Sequence, residues 1–281
     1  MLTVSDHSRD VAGFTYVYPV ISRRTNGLSI GINLNPNNAC NWRCIYCQVP
    51  DLKRGSAPTI NLQLLSTELL SLLDDVQHGD FYKRFEVPHH QRQIRDIAIS
   101  GNGEPTSARE FSDVVVLLGQ VAQQASLLGK INIVLITNGS LMHQAQVQIG
   151  LSLLAQLDGE VWFKLDRATD SGMREINNAA SGMKRAQNNL GIALKHCPLW
   201  IQTCLFALDG QSPSAADWQA YLSLLSVFRN TDHRPLGVLL YGLARQSLQP
   251  EALSLERLSE VQIEYYAESI RVIGYEVKVS Y

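Results

Sequence analysis

Six apolar runs alternate with segments of helical periodicity along this chain of 281 residues. The runs lie near residues 28–34, 94–100, 131–137, 161–166, 199–206 and 235–242, and each is a mainly apolar, continuous run rather than one that alternates in polarity. Strands that are apolar on both faces are typical of a parallel sheet covered on both sides. Because six β–α units are too few for a closed eight-stranded barrel, we predict an α/β fold, namely a partial, open (β/α)6 barrel with parallel strands.

The segments between the apolar runs repeat their leucines and valines at helical spacing. They predict helices near residues 62–76, 108–128, 144–157, 171–195 with a break at Ser181-Gly182, 214–229 with a cap near Ser214, and 255–272. The last residues, YEVKVSY, predict a short edge strand. With no repeat and no convincing linker, we expect one domain over 1–281, with its core strands and helices at about 28–272.

The composition is that of a globular chain without membrane segments. Hydrophobic residues make up 45%, the formal charge is −2, and no apolar run is as long as a membrane helix, which needs roughly 20 residues. The first ten residues do not follow the pattern of a secretory signal. We therefore expect a cytoplasmic protein without membrane contact, and the near-neutral charge argues against a broad nucleic-acid-binding surface.

Three of the five cysteines, Cys40, Cys44 and Cys47, fall within eight residues of a polar, Asn-rich segment. Buried core thiols fit such a loop badly, and a reducing cytosol disfavours a disulfide framework. A structural zinc site normally has four protein ligands, and neither His89 nor His90 has characteristic spacing. A 4Fe–4S cluster held by three thiolates, which leaves one iron open, is the third interpretation.

The cysteine segment resembles a motif of the radical S-adenosylmethionine (radical SAM) enzymes. Cys40, Cys44 and Cys47, with Tyr46 before the last cysteine, are similar to their C-x3-C-x-aromatic-C pattern. Residues 101–105, GNGEP, resemble the family's Gly-Gly-Glu-Pro motif, from which Asn102 is a departure. The open half-barrel is also the fold of this family.

The resemblance implies two cofactors, a 4Fe–4S cluster on the three cysteines and S-adenosylmethionine on its open iron. In the family the reduced cluster cleaves S-adenosylmethionine to a 5′-deoxyadenosyl radical, which abstracts hydrogen from a substrate. The resemblance places Gly103 and Glu104 at the cofactor's ammonium group, although a Gly/Pro turn with Glu104 at a helix start is the alternative. It further implies cofactor contacts for Tyr46, Asn138, Lys164 and Asp166. Lys164 and Asp166 are two residues apart and are therefore expected on one face of their strand, where a salt-bridged pair is the alternative. For Asn138, which precedes Gly139, the alternative is an ordinary turn.

The sequence does not identify the substrate. The segments ISGNGEPT, LITNGS and VWFKLD are similar to parts of the wyosine-base-forming tRNA enzymes and their bacterial relatives of unassigned function. A tRNA, a small molecule and a partner protein activated by a radical are all compatible with this likeness. A non-catalytic iron–sulfur scaffold is the alternative from another class. The family also implies an electron donor such as flavodoxin or ferredoxin.

The remaining polar and thiol residues carry weaker signals. Cys197 and Cys204 are not at cluster spacing and are expected to be structural. Gln202, inside an apolar strand, and Arg245, just past the sixth strand, have no role that the sequence assigns. The basic stretch 83–95 leads into the amino end of a strand, so we expect it to lie away from the site.

Overall fold

The computed structural model describes residues 12–22 and 26–281. In these residues the strands, in chain order, are β1 (Val17–Ser22), β2 (Gly27–Ile32), β3 (Ala39–Cys40), β4 (Lys53–Arg54), β5 (Ile94–Ile99), β6 (Asn132–Thr137), β7 (Glu160–Lys164), β8 (Leu199–Leu205), β9 (Ala207–Leu208), β10 (Gly237–Gly242), β11 (Leu255–Glu256) and β12 (Glu276–Ser280). The helices are α1 (Leu62–His78), α2 (Phe81–Arg84), α3 (Phe111–Gln124), α4 (Ala145–Gln156), α5 (Asp170–Asn177), α6 (Met183–His196), α7 (Ala215–Arg229) and α8 (Glu260–Val272).

One sheet of eight strands organises the molecule, in the order β1-β2-β5-β6-β7-β8-β10-β12. Strands from β2 onward pair in parallel, and only β1 is antiparallel to its neighbour among the described strands of this sheet. The two end strands do not pair with each other, so the sheet curls into an open half-barrel. The predicted partial, open (β/α)6 barrel with parallel strands is confirmed.

Both edges of the sheet extend the predicted set of strands. The expected edge strand at the end of the chain is β12, which pairs with β10. Strand β1 was not predicted, because it contains Pro19, which lies opposite Ile30 and cannot donate a ladder hydrogen bond. An edge strand tolerates this proline because one side of the strand has no neighbour.

Helix boundaries follow local capping chemistry. Ser214 caps α7 by accepting a hydrogen bond from the amide of Asp217, and the predicted break at Ser181-Gly182 separates α5 from α6. The helix predicted over 255–272 begins only at Glu260, because Ser259 and Gln262 form a capping box there. The preceding residues instead form β11, which pairs with β9.

The two faces of the sheet carry different side chains because successive residues of a strand point in opposite directions. The outer face and the helices form the main apolar core. On the inner face the first layer is also apolar and consists of Val134, Trp162, Trp200 and Leu239. One inward position further toward the carboxyl ends, polar side chains line a cavity: Lys164, Gln202 and Tyr241.

No helix within residues 12–22 and 26–281 has both the length and the apolar character needed to cross a bilayer. The first ten residues, for which we predicted no secretory signal, lie outside the described residues.

Candidate functional site

The three clustered cysteines line one cavity of about 300 Å³ at the carboxyl ends of the parallel strands. Cys40 ends the short strand β3, and Cys44 and Cys47 follow in a turn closed by the amide of Cys47 donating to the carbonyl of Cys44 at 2.9 Å. This edge is where parallel α/β folds place their active groups.

The donor set of this loop fits a cluster better than a single ion. All three cysteines are free, and each is partly exposed. Within the described residues no group of three or more His, Cys, Asp and Glu side chains is arranged to hold one metal ion. His89 and His90, considered above as zinc ligands, are exposed in a 3-10 turn before β5. A 4Fe–4S cluster would be held by one thiolate on each of three irons and so would not need a site in which three side chains share one ion.

Two of the sulfur atoms accept hydrogen bonds from the protein. The amide of Trp42 lies 3.5 Å from Cys40 Sγ, and Asn177 Nδ2 lies 3.3 Å from Cys44 Sγ. Burial raises the pKa of the Cys40 thiol to about 11 and that of Cys44 to about 12. A coordinating metal would lower the pKa of these thiols, because a thiol that ligates a metal is deprotonated.

Tyr46 forms part of the cavity wall and is itself 7% exposed. Its hydroxyl donates to Asp166 Oδ2 at 2.6 Å, and its ring lies 5.5 Å from that of Phe206. Asp166 does not line the cavity: its carboxylate also accepts from Asn177 Nδ2 at 2.7 Å and from the amide of Cys204 at 2.9 Å. Asp166 therefore supports the cavity wall from behind.

Lys164 lines the cavity from the end of β7. Its ammonium lies 5.8 Å from the centroid of the Tyr46 ring, and it forms no salt bridge in the part of the chain that the structure describes. Its register partner on β8, Gln202, lines the cavity beside it. An anionic group in this cavity would thus meet the ammonium of Lys164.

Gly103 lies where no side chain fits. A Cβ on this residue would lie 2.0 Å from the carbonyl oxygen of Ala39 and 2.7 Å from the side-chain amide of Asn35. The close approach brings the loop after β5 directly against the strand that carries Cys40. Gly103 therefore sets the distance between the two loops predicted to form the site.

Glu104 is 2% exposed, and its carboxylate is used within the protein. One oxygen accepts from Thr106 N at 3.2 Å, Thr106 Oγ1 at 2.5 Å and Thr137 Oγ1 at 2.6 Å, and the other accepts from Asn138 N at 2.7 Å. Burial raises the pKa of Glu104, and these hydrogen bonds act against that change. Glu104 lines the cavity and also caps the 3-10 helix Pro105–Ser107, as the alternative interpretation expected.

Asn138 joins this network to the cysteine loop. Its side chain donates to Asn41 Oδ1 at 2.8 Å, and Asn41 donates to Ser140 Oγ at 2.7 Å. Asn138 also lines the cavity. The ends of β5 and β6 are therefore held to the loop between Cys40 and Cys44.

The segment after β10 was not predicted to contribute to this site. Ser247 Oγ donates to the carbonyl of Ile45 at 2.7 Å, and Gln249 Nε2 donates to the carbonyl of Val49 at 3.2 Å. Arg43 and Glu251 form a two-pronged salt bridge of 2.8 and 2.6 Å. No local pattern reveals these contacts, because the partners are about 200 residues apart.

Of the residues to which the sequence assigned no role in the site, some line the cavity and others lie away from it. Arg245 lines the cavity, and so does the thiol-bearing Cys204, whereas Cys197 is buried with its thiol 3.4 Å from the carbonyl of Gly159. In the basic stretch 83–95, Arg84 is paired with Asp75. That stretch precedes β5 and is absent from the described cavity wall, as expected.

No protein-family model matches the chain. It is 24% identical over 220 residues to a UPF0026 protein of Synechocystis sp., covering 78% of this chain and 74% of that protein. It is 29% identical over 139 residues to the GTPase Obg of Brachyspira hyodysenteriae, covering 50% of this chain but 17% of that protein.

Solved structures share the fold at low sequence identity. TYW1 with a lysine–pyruvate adduct bound superposes with a TM-score of 0.56 and 16% identity, covering 89% of this chain and 74% of that one. A radical SAM methyltransferase from Sphaerobacter thermophilus gives a TM-score of 0.56 and 13% identity, covering 91% of this chain and 66% of that one. The resemblance to the radical SAM enzymes is confirmed in the fold.

Proposed function

We propose that this chain is a radical SAM enzyme that holds one 4Fe–4S cluster with Cys40, Cys44 and Cys47. The observation that carries this proposal is the common cavity at the carboxyl ends of the strands. It is lined by all three cysteines of one loop, by the G-N-G-E loop and by Lys164. The fold shared with a radical SAM methyltransferase supports the same assignment.

The residues of the cavity fit the two cofactors that this function requires. When bound, a cluster and S-adenosylmethionine supply a one-electron cleavage that yields a hydrogen-abstracting radical, and the protein positions them. The hydrogen bonds from Trp42 and Asn177 stabilise sulfur in its thiolate form. Lys164 offers a half-buried cation to the carboxylate of S-adenosylmethionine.

Two further parts of the proposal concern supply and location. We propose that an external one-electron donor of the flavodoxin or ferredoxin class reduces the cluster. We also propose that the enzyme works in the cytoplasm, where a reducing environment keeps thiols available as ligands. The substrate is a molecule with an abstractable hydrogen.

The test is anaerobic reconstitution with iron and sulfide, reduction with dithionite and addition of S-adenosylmethionine. We expect 5′-deoxyadenosine and methionine, measured by mass spectrometry, from the wild-type protein and none from the Cys44→Ala variant. A stable cluster with no cleavage of S-adenosylmethionine would instead identify a non-catalytic iron–sulfur scaffold and overturn the proposal.

A further inference from the structure

Trp42 connects the cysteine loop to two helices on the outside of the sheet. Its side chain is 5% exposed, borders the cavity and packs in one cluster with Cys40 and Cys44. The same cluster contains four residues of α5, of α6 and of the turn between them: Met173, Ala179, Met183 and Ala186. The Trp42 side chain therefore bridges two of the proposed cluster ligands and the junction between α5 and α6.

This junction reaches the molecular surface. Lys184 and Arg185, in the first turn of α6, are exposed. Arg54 of β4 is exposed as well, and its guanidinium donates to the carbonyl of Asn178 at 2.7 Å. Strand β4, helix α5 and residues 178–186 thus form one continuous surface, which we call the Trp42 face.

The Trp42 face is positively charged, although the whole chain has a formal charge of −2. It carries five cations and two carboxylates, namely Lys53, Arg54, Arg174, Lys184 and Arg185 against Asp170 and Glu175. Asp170 accepts a hydrogen bond from the amide of Met183 at 2.5 Å, so one of the two carboxylates is used within the protein. Opposite charge on two surfaces steers their association, so this face fits an acidic partner.

The position of the Trp42 face indicates what such a partner does. Under the proposed function the cavity holds S-adenosylmethionine and substrate, so a protein that delivers an electron must approach the cysteine loop from outside the cavity. Electron transfer between proteins is fastest along short paths through packed atoms. Trp42, packed against both Cys40 and Cys44, supplies packed atoms between the loop and this surface.

We propose that the Trp42 face docks the acidic one-electron carrier protein that reduces the cluster, and that Lys184 and Arg185 steer it there. This inference rests on the proposed function, because it presupposes a cluster on the cysteine loop. In this step the carrier is oxidised by one electron and the cluster is reduced by one, and no covalent bond forms or breaks.

The probe is flavodoxin, an acidic carrier, in two anaerobic assays with the reconstituted protein. Isothermal titration measures the binding of oxidised flavodoxin, and stopped-flow absorption measures how fast its anionic hydroquinone becomes the neutral semiquinone by giving up one electron. We expect the double variant Lys184→Glu plus Arg185→Glu to weaken binding and to slow this reaction by about tenfold or more at low ionic strength. The difference should largely disappear at ~1 M salt, where the Debye length is about 3 Å.

The matched control is the double variant Lys130→Glu plus Lys195→Glu, which changes the net charge by the same amount. Both lysines are exposed and lie outside the Trp42 face, Lys130 before β6 and Lys195 in the last turn of α6, roughly 16 Å along that helix from Lys184. Photoreduced 5-deazaflavin is a small neutral reductant that needs no docking surface, so it should reduce all three proteins equally. Thermal melts establish that each protein is folded.

The outcomes separate the two proposals. Deazaflavin-reduced wild-type protein that cleaves no S-adenosylmethionine overturns the proposed function, and the flavodoxin assays still decide the docking surface. Three results overturn this inference alone: wild-type protein that neither binds nor oxidises flavodoxin, unchanged binding and kinetics in the Lys184→Glu plus Arg185→Glu variant, or an equal loss in the control variant.

Discussion

The hydroxyl of Tyr46 donates a hydrogen bond of 2.6 Å to Asp166, and only Tyr46 of this pair borders the cavity. Asp166 is 2% exposed and uses its other hydrogen bonds on Asn177 and Cys204. Asn177 also donates to Cys44 Sγ. The buried carboxylate of Asp166 therefore positions both the Tyr46 ring in the cavity wall and the Asn177 side chain that contacts Cys44. Asp166 is thus a positioning residue.

Replacing Tyr46 with Phe should lower the free energy of unfolding by roughly 1.5–3 kcal/mol, because a buried carboxylate loses a donor. Urea denaturation of the cluster-free protein measures this loss. Tyr275→Phe is the control: the buried Tyr275 hydroxyl donates to the neutral carbonyl of Leu225, so about 0.5–1.5 kcal/mol is expected. Equal losses in the two variants would show that the Tyr46 bond is not charge-assisted.

Each of the substitutions Cys40→Ala, Cys44→Ala and Cys47→Ala should remove most of the cluster after reconstitution, because thiolates hold such clusters. Iron and sulfide analysis, together with visible absorption, gives the occupancy. Cys204→Ala is the matched control, since this thiol borders the same cavity from β8 and lies outside the loop. Full occupancy in all three loop variants would contradict the ligand assignment.

Gly103→Ala should destabilise the protein by about 1–3 kcal/mol and weaken S-adenosylmethionine binding, because the new methyl group meets a backbone oxygen that cannot move alone. Gly55→Ala tests the same neighbourhood without overlap, since its Cβ would lie 3.4 Å from the Ala39 side chain. Thermal melts measure the stability of both variants, and titration measures their affinity for S-adenosylmethionine. A fully tolerated Gly103→Ala would mean that the spacing of the two loops is not critical.

Lys164→Gln should weaken S-adenosylmethionine binding by about ten- to a hundredfold, as expected when a charge-assisted contact is lost. Its folding stability should change by less than about 0.5 kcal/mol, because no described ion pair is broken. Lys53→Gln, which removes an exposed cation near the cysteine loop, should change neither quantity. A lower melting temperature with unchanged affinity would assign Lys164 a structural role only.

The salt bridge between Arg43 and Glu251 predicts a small dependence of stability on pH. Arg43 lowers the pKa of Glu251 below its ordinary value of 4.5, so the contribution is present above about pH 4.5 and is lost as pH falls through the lower, folded value. Both side chains are about 30% exposed, which limits the contribution to at most about 1 kcal/mol. The free energies of unfolding of cluster-free wild-type and Glu251→Gln protein, measured by urea denaturation, should differ at pH 7 and converge as pH falls below the lowered pKa of Glu251. A constant difference would contradict the linkage.

Much of the fold was predictable from the chain because it is encoded locally. Continuous apolar runs marked the parallel strands, and the cysteine segment and the GNGEP motif marked two of the loops that line the cavity. Lys164 and Asp166 show where such reasoning stops: two residues apart, they were expected on one face, but β7 ends at Lys164 and the alternation ends with it. The hydrogen bonds of Glu104 to Thr137 and Asn138 depend on which strands become neighbours, and that information is not in the spacing.

The fastening of residues 247–251 onto the cysteine loop has a consequence for how the protein is made. The ribosome delivers the amino-terminal residues first, and the cysteines leave it long before their supports at Ser247, Gln249 and Glu251 are synthesised. During that interval the three thiols belong to an unsupported loop. The loop of the three cysteines therefore gains its supports from this segment only after Glu251 has been translated, some 200 residues after the cysteines themselves.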